Sequence, residues 1–358
     1  MSQISELLER HRAFWHRDNV DKPLLRIGQY NSSYGQQVAP MSFPLADGSM
    51  AVDDVFYLEP DMLSPQRLHN IHKTQSEQPR TAGDIFGVDA PYGRVPWLEA
   101  IMGCPIRVSR QAHSMRSEHI FGDDWYEKVD SVLLDGRWIN RLLEFTDYLS
   151  ENSNGAYLVA NTLMRGPSDM VEAMIGGDNL CTGIYEHPNE LHKLMNVCTD
   201  LFIKMAKAQL DRIKPFHDGY ANLFGIWAPG RSVRTQDDAS ALVSPDHYAE
   251  FMLSYQDRIA EQFDYSTIHL HSGSLHTVDK VLESNITAVQ TSLDPQPYGP
   301  TVPELIPTFI KMQKKKPILI EGPMLKSEFD LLMKSLSPNG LYVSADMESE
   351  EDRGKRRR

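Results

Sequence analysis

Ser266-Thr267-Ile268-His269-Leu270-His271-Ser272-Gly273 is a short apolar run that gives way to glycine just after two histidines flanking a leucine. Its length and β-branched content are those of a buried strand. Residues i and i+2 of a strand share one face, so His269 and His271 project to the same side. An HxH pair at a strand end either holds one metal ion or lines a pocket with two hydrogen-bonding rings. Both readings place a ligand site where this strand stops.

Similar apolar runs recur at Pro23–Gly28, Ala156–Thr162, Tyr220–Ile226, Ala288–Thr291, Pro317–Glu321 and Leu341–Ala345. Between several of them lie segments of helical period. Pro188–Ile213 carries Leu191, Leu194, Val197, Leu201, Met205 and Leu210 close to one helix face. Ser244-Pro245-Asp246 reads as an N-cap with proline at the first helical position, opening a helix through Phe251 and Ile259 to Phe263. Thr301–Glu304 and Met324–Glu328 open two more. Strand and helix in alternation indicate repeated βα units around a parallel sheet, here a single (β/α)8 barrel over residues 1–358. Seven strands are visible, with the eighth expected near Gly83–Val88 or Ser232–Thr235. Residues 30–150 break the rhythm with turn-rich stretches and are expected to hold insertions over the barrel mouth.

The formal net charge of -13 argues against a nucleic-acid partner, since phosphate binding draws on clustered Lys and Arg. Cys104, Cys181 and Cys198 are scattered and odd in number, so neither a disulfide framework nor a Cys-rich zinc site is indicated. That usage, with no signal-peptide pattern at Met1–Asn19 and no membrane-length apolar stretch, leads us to expect a cytoplasmic protein. The acidic run from Glu348 into Lys355-Arg356-Arg357-Arg358 reads as a frayed, solvated terminus. GxSxG, Walker and dinucleotide glycine patterns are absent.

In a parallel barrel all strands end at one face, so polar residues at strand C-termini converge whatever their separation in sequence. That rule selects Arg26, Asn161, Asn222, Trp227, Asp238, His269, His271, Gln290 and Glu321. Glu321 follows the buried run Ile318-Leu319-Ile320, where a carboxylate is costly unless paired or metal-bound. It is therefore the expected third ligand beside His269 and His271, with zinc or another divalent transition metal. Of the adjacent acids Asp237 and Asp238, which point to opposite faces if extended, Asp238 is taken as the pocket residue. Asp238, Glu321 and His269 are the catalytic candidates, and the substrate-binding set is Arg26, Trp97, Glu99, Asn161, Asn222, Trp227 and Gln290. Trp97 and Glu99 either wall the site or pack the insertion, and Trp227 and Tyr30 are similarly open.

Three segments in order carry a family resemblance. They are Gly83–Gly93 with Val95-Pro96-Trp97-Leu98-Glu99-Ala100-Ile101-Met102-Gly103-Cys104-Pro105, Gln236-Asp237-Asp238 with Ser244-Pro245, and His269-Leu270-His271-Ser272-Gly273. Through these the chain resembles the uroporphyrinogen-decarboxylase superfamily, in a branch related to corrinoid- and folate-linked methyltransferases. The resemblance implies a (β/α)8 barrel, frequently a homodimer, with an open site at the strand C-termini. It also implies a small-molecule substrate and a corrinoid, either as substrate or on a partner protein. The chain departs from the decarboxylases, which carry an arginine-rich N-terminal signature, by offering only Arg26 in Leu24-Leu25-Arg26-Ile27-Gly28. It departs from the zinc methyltransferases, whose ligands are a His-x-Cys pair and a later Cys, by having His271 and a cysteine-free Ser344-Ala345-Asp346. Methyl transfer is expected first, tetrapyrrole decarboxylation second, and a non-catalytic binding barrel third.

Overall fold

A computed structural model describes residues 3–18, 21–29, 40–69, 81–153 and 155–356; Tyr30 lies outside them. Six parallel strands form its main sheet. These are β1 (Leu24–Gln29), β2 (Ser232–Gln236), β3 (Tyr265–His271), β4 (Ala288–Ser292), β5 (Ile318–Met324) and β6 (Leu341–Met347), side by side in the order β1-β6-β5-β4-β3-β2. The fold is α/β. Among the described residues the ladder does not close between β1 and β2. Val88–Asp89 and Leu158–Val159 form a separate parallel pair, joined to β1 through Asp84 N–H donating to the Leu25 carbonyl at 2.8 Å.

Parallel strands are covered on both faces, which is why they read as nearly continuous apolar runs. On the outward face Ile268, Leu270, Val289, Ile320, Val343 and Ala345 join the large core beneath the helices. On the inward face Leu24, Ala288, Leu319 and Tyr342 pack with Phe14 and Trp15 of the N-terminal helix Gln3–His16. Nearer the strand C-termini the inward face turns polar. Register sets Gln236, His269 and Gln290 in one row, and His271, Ser292, Glu321, Ser344 and Arg26 in the next.

Three expectations change. Tyr220–Ile226 is not a sheet strand: Tyr220–Ala221 pairs antiparallel with Trp227–Ala228 around a tight turn, and Ser232–Gln236 takes the place in the sheet. Gly225 adopts φ +75° in that turn, a conformation cheap only for glycine. Ser244 does cap Pro245–Tyr248, but the chain then passes through a wider five-residue turn, Ala249–Leu253, before resuming as Ser254–Ala260. The terminus is not frayed over its described length. Glu350–Arg356 is helical, and Arg353 donates to Glu348 at 2.7 Å and to Glu328 at 2.9 Å.

Within the 30–150 region, Val55–Leu58, Ile106–Ser109 and Ser114–Ser117 form a three-stranded antiparallel sheet beside the helix Trp97–Ile101. No helix among the described residues is long and apolar enough to cross a membrane.

Gly166 marks where the loop before the helix Pro167–Ile175 closes on the end of β2. A Cβ there would lie 2.1 Å from the Gln236 carbonyl oxygen and 2.5 Å from Gln256 Nε2. Backbone cannot swing aside, so Gly166→Ala is expected to cost roughly 1–3 kcal/mol, the range of core overpacking, read by urea denaturation. A variant as stable as wild type would show that this approach is not tight.

Candidate active site

The polar rows are built by strand alternation. His269 and His271 stand on the inward face of β3 with ring centres 4.9 Å apart. Beyond β2, a short helical turn starting at Asp238 brings that carboxylate over the same strand, where Gln236 Nε2 donates to it at 2.8 Å. Asp238 Oδ1 lies 3.8 Å from His271 Nε2. One ligand atom each from Asp238, His269 and His271 lie within 4.8 Å of one another, a grouping able to hold a metal ion.

Both imidazoles are oriented by what their Nδ1 atoms touch. His269 Nδ1 faces the Gln290 carboxamide oxygen, an acceptor, so it carries the proton. His271 Nδ1 lies 2.6 Å from Asp294 Oδ1 and donates to it. When the rings are neutral, each Nε2 keeps its lone pair for a ligand, the arrangement by which metal-binding histidines are usually held. Burial, reinforced by the Arg234 charge, pushes His269 down to about 3, so this ring is neutral near pH 7. The hydrogen bond to Asp294 raises His271. Burial opposes ionisation of Asp294, but His271, the Gly273 N–H at 2.9 Å and the Ser272 hydroxyl hold it below the ordinary carboxylate value.

Gln290 then turns its amide to Glu321, donating to Oε2 at 3.0 Å. Burial pushes Glu321 up to about 7, against the pull of Arg26 and Arg234. The carboxylate that joins the two imidazoles is thus Asp238, while Glu321 sits at the far end of the His269–Gln290–Glu321 chain. Arg26 donates to the Ser344 hydroxyl at 3.1 Å and reaches Asp346 at 3.4 Å. Together with Glu321, Phe224 and Tyr342 it lines a cavity of about 330 Å³.

Five sequence candidates stand apart from this group, in contacts within the fold. Trp97 is 1% exposed, packed edge-on against Trp138 and Phe145, with its N–H donating to the Tyr92 carbonyl at 3.0 Å. Asn161 turns its amide toward Ala206 in the helix Pro188–Leu210. Asn222 accepts from the N–H groups of Phe224 and Ile226 at 3.0 and 3.2 Å, fastening the turn of its hairpin. Trp227 is fully buried against the N-terminal helix: its ring N–H donates to Phe216, and His11 Nδ1 accepts from its backbone. Glu99, also buried, pairs with Arg165 at 2.7 Å. Asp237 is buried away from the mouth and accepts from Ser168.

Asp294 escaped the sequence reading, although a carboxylate just past the end of β4 obeys the strand-end rule that selected the others. Its partner is 23 residues upstream, and only parallel pairing of β3 with β4 brings them together.

No protein-family profile matches the chain, and no curated protein matches it. Among solved structures it is similar to a methyltransferase from Methanosarcina mazei, with a TM-score of 0.61 at 12% identity, covering 98% of this chain and 96% of that one. At that identity the likeness concerns the fold.

Proposed function

We propose that this chain is a methyltransferase of the uroporphyrinogen-decarboxylase-like type. Its strands complete a closed (β/α)8 barrel, and Asp238, His269 and His271 hold a divalent transition metal at the strand C-termini. The observation that carries the reading is the convergence of three ligand atoms with both Nδ1 atoms already bound to acceptors. Such a set of two nitrogens and one oxygen suits zinc or a neighbouring first-row metal. Bound there, the metal would act as a Lewis acid lowering the pKa of a thiol or alcohol acceptor. The chain's own residues do the rest: Gln290 and Asp294 orient the rings, Gln236 holds Asp238, and Arg26 and Glu321 offer polar contacts to the substrate body. The methyl source in this reading is a corrinoid, free or on a partner protein.

The test is absorbance-monitored demethylation of methylcobalamin by the zinc-loaded protein with a small thiol as acceptor. Turnover that disappears in His269→Ala supports the reading. Absence of methyl transfer accompanied by turnover of uroporphyrinogen would replace it with a carboxy-lyase, and absence of both reactions would leave a binding barrel.

A further inference from the structure

The least accounted-for group in the site is Arg234. It lies on the inward face of β2, is 7% exposed, and among the described residues its guanidinium makes one hydrogen bond, from Nη1 to Gln236 Oε1 at 2.6 Å. Its Nε is buried with no partner among those residues. Among the described residues no carboxylate oxygen comes within 4.0 Å of the guanidinium.

Burying a guanidinium without a paired anion is expensive, because little of its lost hydration is returned. None of the nearby carboxylates pairs with it: Asp238 contacts Gln236, Glu321 contacts Gln290, Asp294 contacts His271, Asp346 contacts Arg26, and Asp169 accepts from the Ala239 N–H at 2.8 Å through one oxygen, its other oxygen being buried without a partner among the described residues. Burial lowers the Arg234 pKa to about 10, so it still carries its charge near neutral pH. Its carbon Cζ stands 6.0 Å from the centre of the Phe224 ring, and Phe224 is also a wall of the cavity that Arg26 and Glu321 line. Gln236 links this guanidinium to Asp238 through its two ends, 2.6 Å from one and 2.8 Å from the other. An unfilled set of donors therefore sits one side chain away from the metal-ligand group.

We infer that Arg234 is the recognition residue for an anionic head, a carboxylate or an oxyanion of the same fork-like geometry, on the small molecule that enters this site. A planar guanidinium matches two oxygens at once, and such pairing in a water-poor pocket is stronger than at a surface. The ligand would compensate the buried charge and place its remaining atoms toward His269 and Asp238. The inference rests on the concave mouth being the reaction site, and not on a metal being bound there.

The experiment is calorimetric titration of the whole protein, metal-free and zinc-loaded, with benzoate, acetate and phosphate, and with the neutral counterparts benzamide and acetamide. Binding of at least one anion, with its neutral counterpart at least tenfold weaker, is expected. Arg234→Met should lose that preference, and Arg234→Lys should retain part of it. Because the methionine variant removes a buried unpaired charge, its melting temperature without ligand should be no lower than wild type. A purely structural arginine would instead give a lower melting temperature. No anion preference in wild type, or one unchanged in a folded Arg234→Met, overturns the inference. Anion binding that persists without zinc separates it from failure of the metal reading, and binding seen only with zinc, and equal in Arg234→Met, assigns the anion to the metal instead.

Discussion

Replacing His269 and His271 together by alanine should abolish metal retention, where the wild-type protein, loaded with excess zinc and dialysed, keeps one equivalent by elemental analysis. Two of the three ligand atoms go, and the remaining Asp238 carboxylate stands at an exposed edge of the site. One solvated carboxylate does not hold a transition metal against dialysis. Asp294→Asn should weaken binding about 10- to 100-fold without removing it, the usual cost of losing the group that orients a histidine ligand. The pH dependence has a definite sign. His271 has a raised pKa, so its proton competes with the metal, and affinity should fall as pH drops through that raised value. His269, neutral down to about 3, adds no competition above that point. In metal-free protein the same pair acts oppositely on stability. Protonated His271 on Asp294 stabilises the fold fully below the ordinary imidazole value, and that contribution disappears as pH rises through the folded one. Wild-type protein that retains no metal would sink the assignment of these ligands.

Arg165→Met should destabilise the protein by about 3 kcal/mol near pH 8, the low end of the range for removing one partner of a buried ion pair, because Glu99 is buried while the Arg165 side chain is part-exposed. Glu99 is 1% exposed, and burial already raises its pKa against the opposing pull of Arg165. Without the guanidinium 2.7 Å away, the carboxyl must either stay charged and uncompensated or bind a proton. Protonation is the cheaper course at low pH. With its folded pKa above the unfolded one, Glu99 binds more protons folded than unfolded, so stability falls as pH rises from the ordinary carboxylate value through the raised one. The loss should thus be smaller at pH 5 than at pH 8 by urea denaturation. Adding Glu99→Gln should recover most of it, because no charge is then left buried. A loss under about 1 kcal/mol, or one indifferent to pH, would show that water reaches the pair.

Much of the sheet is visible in the chain because strands covered on both faces leave an apolar run, as at Ile318-Leu319-Ile320 and Leu341-Tyr342-Val343. Ser232-Val233-Arg234-Thr235-Gln236 leaves none. Its inward positions, Arg234 and Gln236, belong to the polar wall of the site, so its pattern is weak and it enters the reading only as one of two places for a missing eighth strand, while Tyr220–Ile226 is taken as a strand. The seven-strand reading, with its polar strand ends, still points to one mouth, and period-two alternation is enough to set His269 beside His271.

Residue type alone cannot say which way a side chain on a loop or a short strand faces. Trp97, Asn161, Asn222 and Trp227 have the chemistry of ligand-binding residues, yet both indole N–H groups donate to backbone carbonyls, and each asparagine bonds the fold through one end of its amide while the other end, Asn161 Oδ1 or Asn222 Nδ2, is buried without a partner among the described residues. Asp238 and Glu321 are equally plausible ligands in one dimension; the turn after β2 carries Asp238 over the imidazoles, while Gln290 keeps Glu321 a residue away. The alternation of apolar and polar positions, a local property of each strand, is what the amino-acid sequence determined: a parallel α/β sheet with two histidines at its polar end. Which carboxylates complete the set, Asp238 and Asp294, was decided by tertiary structure, because register between strands joins residues that no local pattern relates.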